Sequence, residues 1–361
     1  MRAAVLREIP GKLEIDEVEV GSPEPREVLI RTAAAGLCHS DLHFMEGKYP
    51  YLTPVVMGHE SAGVVEAVGN QVTYVQPGDH VITCLSVYCG NCEPCLTGHL
   101  SICQDKAAVQ RPPDAEQRLT KDGAPVWQFL DLSSFAEAML VHEHAVVKVR
   151  PEMPLERAAL LGCSVMTGVG AVFNTAKVEP GSTVAVIGVG GVGLNCIQGA
   201  SLAGASKVVA VDMVPSKLDL ARSFGATHTV DASAGDPVAE VHELTGGGVH
   251  YSFEAIGLKT TAEQAFGMIR NGGTATIIGM IPVGQVLELN GYEFLYEKKL
   301  QGSSMGSNRF RVDMPRLVDL YLDGRLKLDE LVSLRLTLDE VNDGFEAMKT
   351  GEIARSVINF G

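Results

Sequence analysis

Four cysteines crowd into one short stretch of the sequence with the spacing C-x2-C-x2-C-x7-C. They are Cys89, Cys92, Cys95 and Cys103. Four thiolates can close a tetrahedron around zinc with no open position, so the spacing predicts a structural zinc lobe at about residues 84–105. Thiolates also suit iron, so an iron–sulfur site and four free thiols are alternatives. No export signal accompanies the eight cysteines, which disfavours disulfides and predicts a reducing, cytoplasmic compartment.

A glycine-rich string follows the apolar segment TVAVI and precedes a predicted helix. Its first, third and sixth positions form a GxGxxG pattern, and the full string is Gly188, Val189, Gly190, Gly191, Val192 and Gly193. The three spaced glycines permit a tight turn, a close approach to a pyrophosphate, and close packing of helix on strand. The N-terminus of the helix would then face the phosphates. The alternative is a glycine-rich packing turn without a ligand.

An acidic residue stands at the end of the next predicted strand. Asp212 follows Gly193 by 19 residues, where a carboxylate accepts hydrogen bonds from ribose hydroxyls and repels the 2′-phosphate of NADP. Lys217, one helical turn later, could also reach the ribose. The sequence therefore predicts NAD as the cofactor.

Three further metal-ligand residues stand far apart in the sequence. Cys38 lies in GLCHSDLH, His59 in GHE and Cys163 in LLGCSVMTG. Two thiolates and one imidazole would leave a fourth zinc position open, which is typical of a catalytic site. Each residue alone is more often a buried structural residue. Their occurrence together with a dinucleotide site favours the catalytic interpretation.

The elements that must position these residues fall into two patterns. Short Val- and Ile-rich segments between turns occupy residues 1 to about 150, and the stretch 104–130 is expected to be a long surface loop. From about residue 180, strands alternate with helices, which predicts an α/β fold with a doubly wound parallel sheet. We predict three segments: 1–163, 164–295 and a return to the first domain at 296–361.

Composition excludes several classes of function. The chain has 361 residues, 46% of them apolar and 20% charged, as in a globular protein. The net charge of −15 disfavours nucleic-acid and membrane partners. The uncharged segment 180–206 is interpreted as a buried strand, turn and helix rather than a membrane span.

The chain resembles the zinc-dependent alcohol dehydrogenases of the medium-chain dehydrogenase/reductase superfamily over nearly its whole length. The motifs that carry the resemblance are GLCHSDLH, the run GHE-x2-G-x-V-x2-VG, GDHV, CGNCEPCLTGHLSIC, GCSVMTG, GVGGVG and ARSV. The resemblance implies a mainly-β GroES-like catalytic domain and a Rossmann domain. It also implies NAD and two zinc ions per chain, with the catalytic zinc on Cys38, His59 and Cys163.

The resemblance also implies a proton path and supporting residues at the zinc. Ser40 would hydrogen-bond the alcohol, and the proton would pass through the nicotinamide ribose to His43. We expect Asp41 to hydrogen-bond His59 and fix its tautomer. Glu60 would lie behind the zinc as a transient ligand.

Three more residues are expected at the cofactor. Thr167 would pack on the nicotinamide, and Arg355 would contact the pyrophosphate. His39 stands where arginine is common in the family. Imidazole is only partly charged at neutral pH, so the affinity for the cofactor at this point should depend on pH.

The resemblance also implies a substrate pocket in which Leu85 and Ile102 line the part near the zinc, where relatives often carry aromatic rings. Its expected members are Ser40, Tyr49, Leu85, Ile102, Trp127 and Phe129. The extra room predicts a bulky primary, benzylic, allylic or medium-chain alcohol that is converted reversibly to an aldehyde or ketone.

Three other functions remain open from the sequence. They are a hydroxymethyl-glutathione (formaldehyde) dehydrogenase, a relative with permanently bound NAD, and a zinc-stabilised dinucleotide sensor without turnover. The expected partners are a small alcohol or aldehyde and a second copy of the chain, since the 104–130 stretch resembles that of dimeric members.

Overall fold

The computed structural model describes residues 1–112, 115–351 and 353–361. The strands in these ranges are β1 Arg2–Leu6, β2 Leu13–Glu17, β3 Glu19–Val20, β4 Glu27–Gly36, β5 Val55–Val56, β6 Ser61–Val68, β7 His80–Thr83, β8 Leu119–Lys121, β9 Ala124–Pro125, β10 Trp127–Gln128, β11 Ala138–His142, β12 Val146–Lys148, β13 Thr183–Ile187, β14 Lys207–Asp212, β15 His228–Asp231, β16 Val249–Glu254, β17 Ile269–Ile277, β18 Lys299–Gly302, β19 Val332–Leu336 and β20 Arg355–Asn359. The α-helices are α1 His39–Met45, α2 Glu93–Leu96, α3 Leu155–Leu160, α4 Met166–Gly170, α5 Gly191–Leu202, α6 Pro215–Ser223, α7 Pro237–Thr245, α8 Lys259–Met268, α9 Phe310–Leu322 and α10 Val341–Lys349.

The chain forms two compact units. Unit 1 contains Met1–Ser164 and Arg309–Gly361, and unit 2 contains Val165–Asn308. The sequence prediction ended the second domain at residue 295, which is too early. Strand β18 pairs in parallel with β17 and therefore extends the sheet of unit 2 beyond that point.

Unit 2 contains a six-stranded parallel sheet with the order β15-β14-β13-β16-β17-β18. Its central strands are runs of Val, Ala and Ile with almost every side chain buried, as expected for a sheet covered by helices on both faces. The strand order reverses between β13 and β16, which is the switch point where such sheets bind ligands. The predicted Rossmann fold is confirmed.

Unit 1 is mainly β, as predicted for a GroES-like domain. Its largest sheet has the order β12-β7-β6-β4-β20-β19, with β11 paired to β4. The last strand of the chain, β20, runs antiparallel to β4, and Leu37 N–H donates to the Ser356 carbonyl at 3.0 Å. A core that includes Leu37, Met57, Phe129 and Phe345 joins the two separated parts of this unit.

The stretch between residues 104 and 130 is more ordered than the predicted surface loop. It contains β8, β9 and β10, and Leu119, Val126 and Phe129 are buried. The prediction of a plain surface loop is therefore wrong at these three short strands and at the buried side chains. Residues 113 and 114 lie outside the described residues.

A buried carboxylate on β4 anchors this stretch. Glu27 Oε1 accepts hydrogen bonds from Arg111 Nε at 3.0 Å and Arg118 Nε at 2.7 Å, and all three side chains are at least nine-tenths buried. Burial alone would raise the pKa of Glu27, but the two guanidinium groups outweigh it and hold that pKa below its ordinary value.

One continuous helical run, Leu155–Ala176, is long and apolar enough to cross a membrane by length and composition. Of its most apolar window, 83% is buried inside the protein, as in a core helix, so the run is weak evidence for a membrane span. The segment 180–206 forms β13 and the twelve-residue α5, and therefore differs from a span.

Replacing Glu27 tests its anchoring of Arg111 and Arg118. The substitution Glu27→Gln leaves the buried Arg118 guanidinium without its counter-charge and Arg111 with only the half-exposed Glu24 at 3.4 Å. It should destabilise the protein by roughly 3–5 kcal/mol in urea unfolding at pH 7. Because the pKa of Glu27 is lowered in the folded wild type, the difference in unfolding free energy between wild type and variant should shrink as the pH falls below about 4.3.

The matched control is Glu66→Gln. Glu66 forms an exposed pair with Arg31 on the same sheet, so this change should cost less than about 1 kcal/mol. Equal losses in the two variants would contradict the anchoring role of Glu27.

Candidate active site

The start of α1 positions the first cysteine of the site. Cys38 is the N-cap residue, and its backbone N–H donates to Asp41 Oδ2 at 3.1 Å. The other carboxylate oxygen, Asp41 Oδ1, lies 2.9 Å from His59 Nδ1. When Nδ1 carries the proton, the lone pair is on Nε2, the tautomer that a metal-binding imidazole needs. One short helix therefore places a thiol and orients the imidazole.

Three side chains from distant parts of the chain converge beside this helix. The ligand atoms of Cys38, His59 and Cys163 lie within 4.8 Å of one another, and all three residues are buried. Hydrogen bonding to Cys163 lowers the pKa of Cys38, whereas the same contact and burial raise the pKa of Cys163. The donor set fits a zinc ion that keeps one position open.

Two residues of the predicted proton path lie on α1. Ser40 Oγ stands 3.6 Å from Cys38 Sγ. The His43 ring lies 6.5 Å from the His39 ring and 6.3 Å from the Tyr49 ring, between centroids. Burial, followed by the charge of Lys48, lowers the pKa of His43. The imidazole is therefore neutral at pH 7 and able to accept a proton.

A buried ion pair adjoins the three ligands. Glu60 is fully buried, its Oε2 is paired with Arg355 Nη2, and Ser164 Oγ donates to its Oε1 at 3.2 Å. Burial, partly offset by Arg355, raises the pKa of Glu60 to about 7. The sequence analysis missed Ser164, although its position next to Cys163 was a signal. Within unit 1, Arg355 is engaged by Glu60, and its predicted contact with the pyrophosphate stays a prediction.

The four clustered cysteines also converge. Their sulfur atoms are separated by 3.4 Å between Cys92 and Cys95, 3.8 Å between Cys92 and Cys103, and 3.9 Å between Cys89 and Cys95. Zn–S bonds of about 2.3 Å place tetrahedral sulfurs about 3.8 Å apart. The spacing therefore fits one ion. An iron–sulfur cluster has its own atoms between the thiolates and would hold them farther apart.

The glycine turn in unit 2 follows β13. Gly188 has φ +89°, and a Cβ on Gly193 would lie 1.7 Å from the Gly188 carbonyl oxygen, so only glycine allows α5 to pack so closely on the turn. Gly190 is the N-cap residue of α5, and nothing within 4 Å would meet a Cβ there. The backbone at this point is open to an approaching phosphate.

The carboxylate at the end of β14 joins this turn. Asp212 Oδ2 accepts a hydrogen bond from Val189 N–H at 2.7 Å, and Oδ1 accepts from Met213 N–H at 2.8 Å and Val214 N–H at 3.1 Å. Asp212 therefore shapes the turn, and its predicted contact with a ribose stays a prediction. Lys217 is the third residue of α6.

The remaining predicted cofactor residues lie in different units. His39 is exposed at the start of α1 in unit 1. Thr167 lies on α4 in unit 2 and is buried, with its hydroxyl 3.5 Å from Met305 Sδ. Both assignments stay predictions.

The predicted pocket residues are only partly brought together. The fully buried Phe129 ring packs edge-on against His59, with 5.8 Å between centroids. Trp127 lies in β10, where its backbone N–H donates to the Pro54 carbonyl, and not in a surface loop as predicted. Leu85 is half-buried against a separate core that contains Val81 and Val87.

Ile102 departs most from the predicted pocket. It lies in a 3-10 turn of the four-cysteine lobe and is 53% exposed. The motifs predicted a position near the catalytic zinc. In the structure, the conformation of Ile102 is fixed by the four-cysteine lobe, because the next residue is the lobe cysteine Cys103. Its contribution to the pocket stays a prediction.

Comparison with known proteins gives matches over nearly the whole chain. The alcohol dehydrogenase GroES-like domain model matches residues 24–151, and the zinc-binding dehydrogenase model matches residues 191–322. Alcohol dehydrogenase class-3 of Zea mays is 38% identical over 365 residues, covering 99% of this chain and 96% of the relative. S-(hydroxymethyl)glutathione dehydrogenase of Paracoccus denitrificans is 38% identical over 370 residues, covering 99% of both. The crystal structure of benzyl alcohol dehydrogenase from Acinetobacter calcoaceticus has a TM-score of 0.94 at 33% identity, covering 100% of this chain and 99% of that one.

The two cysteine clusters lead to a prediction about metal content. We expect two zinc ions per chain by plasma emission spectroscopy. Cys163→Ala should lose one ion and the activity but keep the fold, because the remaining ligands leave the open site too weak. Cys95→Ala should lose the other ion and destabilise the chain, because binding energy at a closed site is folding energy.

The control is Cys196→Ala, since Cys196 is buried and outside both clusters. It should retain two ions. A wild-type content of one ion or none would rule out this interpretation.

Proposed function

The chain belongs to the zinc-dependent alcohol dehydrogenases of the medium-chain dehydrogenase/reductase superfamily, an NAD-dependent family, and we propose that its substrates are bulky, largely apolar primary alcohols. The reaction transfers a hydride reversibly between the alcohol and NAD and gives the aldehyde. Benzylic, allylic and medium-chain alcohols are the substrates we expect to be used best.

The charged residues of the 104–130 stretch favour a free alcohol over a glutathione adduct as the substrate. An adduct has glutathione carboxylates that call for basic groups. Here Arg111 and Arg118 are buried on Glu27, and Lys121 is paired with Asp16. Among the described residues of this stretch, Lys106 is the one cation of the four without such an ion pair. The names of the relatives leave both substrate classes open. A relative named for a glutathione adduct and one named for benzyl alcohol have similar sequence identities to this chain, 38% and 33%.

We assign the catalytic zinc to Cys38, His59 and Cys163, and the structural zinc to the four-cysteine lobe. Zinc at the open site would supply a Lewis acid that lowers the pKa of an alcohol hydroxyl. Asp41 holds the His59 imidazole in its ligand tautomer. Two thiolates balance the charge of the ion, so a neutral aldehyde is not held tightly.

The proton leaves through residues of α1. Ser40, next to Cys38, hydrogen-bonds the alcohol hydroxyl and takes part in removing its proton. His43 receives the proton at the end of the path, because burial and Lys48 keep it neutral. The aromatic ring of Phe129 excludes water from the side of His59.

On unit 2, the glycine turn and Asp212 hold NAD. The unpaired N–H groups at the start of α5 face the pyrophosphate. The Asp212 carboxylate faces the adenosine ribose and disfavours the extra phosphate of NADP. Replacing Asp212 with Asn should therefore raise the NADP-to-NAD ratio of kcat/KM, and an unchanged ratio would exclude this role.

We further propose that the chain forms a homodimer through unit 2. Strand β18 pairs with β17 alone among the described strands, so its other edge is open. Large apolar side chains in the segment 283–296, which precedes β18 in the chain, are strongly exposed: Val283 80%, Val286 67%, Tyr292 62%, Leu295 75% and Tyr296 46%. A second copy, related by a twofold axis, could cover this patch and pair the two β18 edges.

Light scattering with size exclusion tests the dimer. The wild type should elute with twice the chain mass of 38.4 kDa. Leu295→Lys should shift it toward the monomer, because it places a charge in the covered patch. The control Leu52→Lys changes an equally apolar, 60% exposed side chain of unit 1 and should leave the mass unchanged. A monomeric wild type would refute the proposal.

Steady-state kinetics test the substrate class. Each extra buried methylene contributes about 0.8 kcal/mol, so benzyl alcohol and hexanol should exceed ethanol in kcat/KM by roughly tenfold or more. S-(hydroxymethyl)glutathione should be used less well than benzyl alcohol. A higher kcat/KM for ethanol would refute the roomy pocket, and a higher one for the glutathione adduct would favour the alternative function.

A further inference from the structure

We propose that Glu254, the last residue of β16, is a positioning residue for NAD. Its side chain is fully buried and has no part in the chemistry described above. It fixes the loop 255–257, which packs against the glycine turn. This inference rests on the proposed binding of NAD at that turn.

One carboxylate oxygen of Glu254 holds the loop by three hydrogen bonds. Oε1 accepts from Ile256 N–H at 2.9 Å, Gly257 N–H at 2.7 Å and the Thr261 hydroxyl at 2.7 Å. The first two donors belong to the loop, and the third lies in the first turn of α8. The loop and the helix that follows it are thus tied to the end of the strand.

Glu254 also joins this loop to the one that follows β17. Its carbonyl oxygen accepts from Ile278 N–H at 2.9 Å and Gly279 N–H at 3.1 Å. A Cβ on Gly279 would lie 2.6 Å from Glu254 Oε2 and 2.1 Å from Gly257 N. The two loops therefore meet backbone to backbone, and the missing side chain of Gly279 leaves the space that the carboxylate fills.

The tethered loop bears directly on the dinucleotide turn. A Cβ on Gly188 would lie 2.4 Å from Ile256 Cγ1, so the Ile256 side chain fills the space beside the first glycine. Ile256 is also 40% exposed, as a side chain at the edge of a binding crevice would be. This edge is the carboxyl end of β13 and β16, where the strand order reverses and where such sheets bind dinucleotides.

The consequence is a division of roles at the cofactor site. The glycine turn and Asp212 contact NAD, whereas Glu254 acts through Ile256 and holds the wall beside the turn in place. Losing the carboxylate would leave the buried N–H of Gly257 and the partly buried N–H of Ile256 without an acceptor and free the loop to move. Binding of NAD would suffer, and the hydride step, once NAD is saturating, would not.

The test is direct titration of NADH, followed by its fluorescence, in the full-length protein. Glu254→Ala should raise the Kd for NADH and the KM for NAD by about tenfold while kcat at saturating NAD changes by less than about twofold. Glu254→Gln keeps an oxygen where Oε1 accepts its hydrogen bonds. It should therefore restore the Kd to within about threefold of the wild type.

Ser252→Ala is the matched control for general destabilisation. Ser252 lies on the same strand, is fully buried, and donates to the Ala265 carbonyl at 2.7 Å without touching the loop. This variant should lower Tm and leave the Kd for NADH unchanged. If Glu254→Ala does not fold, Thr261→Val, which removes one of the three donors, should still raise the Kd by about threefold.

Two results would overturn the inference while leaving the proposed function standing. One is an equal affinity for NADH in the wild type and in Glu254→Ala, or in Thr261→Val if Glu254→Ala does not fold. The other is an equal loss of affinity in Ser252→Ala. A wild type that does not bind NADH would overturn the inference together with the proposed function.

Discussion

The structure of unit 1 depends on the convergence of three ligand atoms from distant positions. Cys38, His59 and Cys163 lie within 4.8 Å of one another in the protein interior. Thiolates are costly to bury without a counter-charge, and a zinc ion is the partner that two thiolates and an imidazole at this spacing suit. The start of α1, the strand after His59 and the long helical run containing Cys163 must all be held in register for this to occur.

Buried ion pairs provide much of that register. Glu60 and Arg355 join the chain end to the segment after His59, and β20 is paired with β4 beside Cys38. Glu27 does the same for residues 106–129, whose last member, Phe129, packs on His59. A buried charge left alone is strongly destabilising, so each pair makes the separated segments depend on one another. The proposed zinc site is therefore supported by residues that never touch the ion.

The parts that the sequence could predict are those with a local physical signature. Position 193 must be glycine because a backbone oxygen lies where a side chain would be. The spacing of the four clustered cysteines reflects the size of a tetrahedral metal site. The alternation of strands and helices predicted the parallel sheet. In each of these cases, the requirement is met by residues close in sequence.

The parts that it could not predict depend on long-range packing. Arg118 lies in the stretch predicted to be a surface loop, but it is buried where it pairs with Glu27, 91 residues away. Phe129 is predicted to close the pocket, and that role stays a prediction; its full burial against His59 has no local signal in the sequence. Strand β18 was assigned to the wrong domain because its pairing with β17 has no local signal. Glu254 carries no motif, and only the donors gathered on its oxygen reveal it.

The account centres on a metal ion held by Cys38, His59 and Cys163. Anomalous diffraction from crystals of the purified protein, measured on both sides of the zinc absorption edge, tests it most directly. We predict two zinc peaks per chain: one bonded to both sulfurs and to His59 Nε2, and one at the centre of the four-cysteine lobe. No zinc peak at the three-residue cluster, or a disulfide between Cys38 and Cys163, would contradict the account.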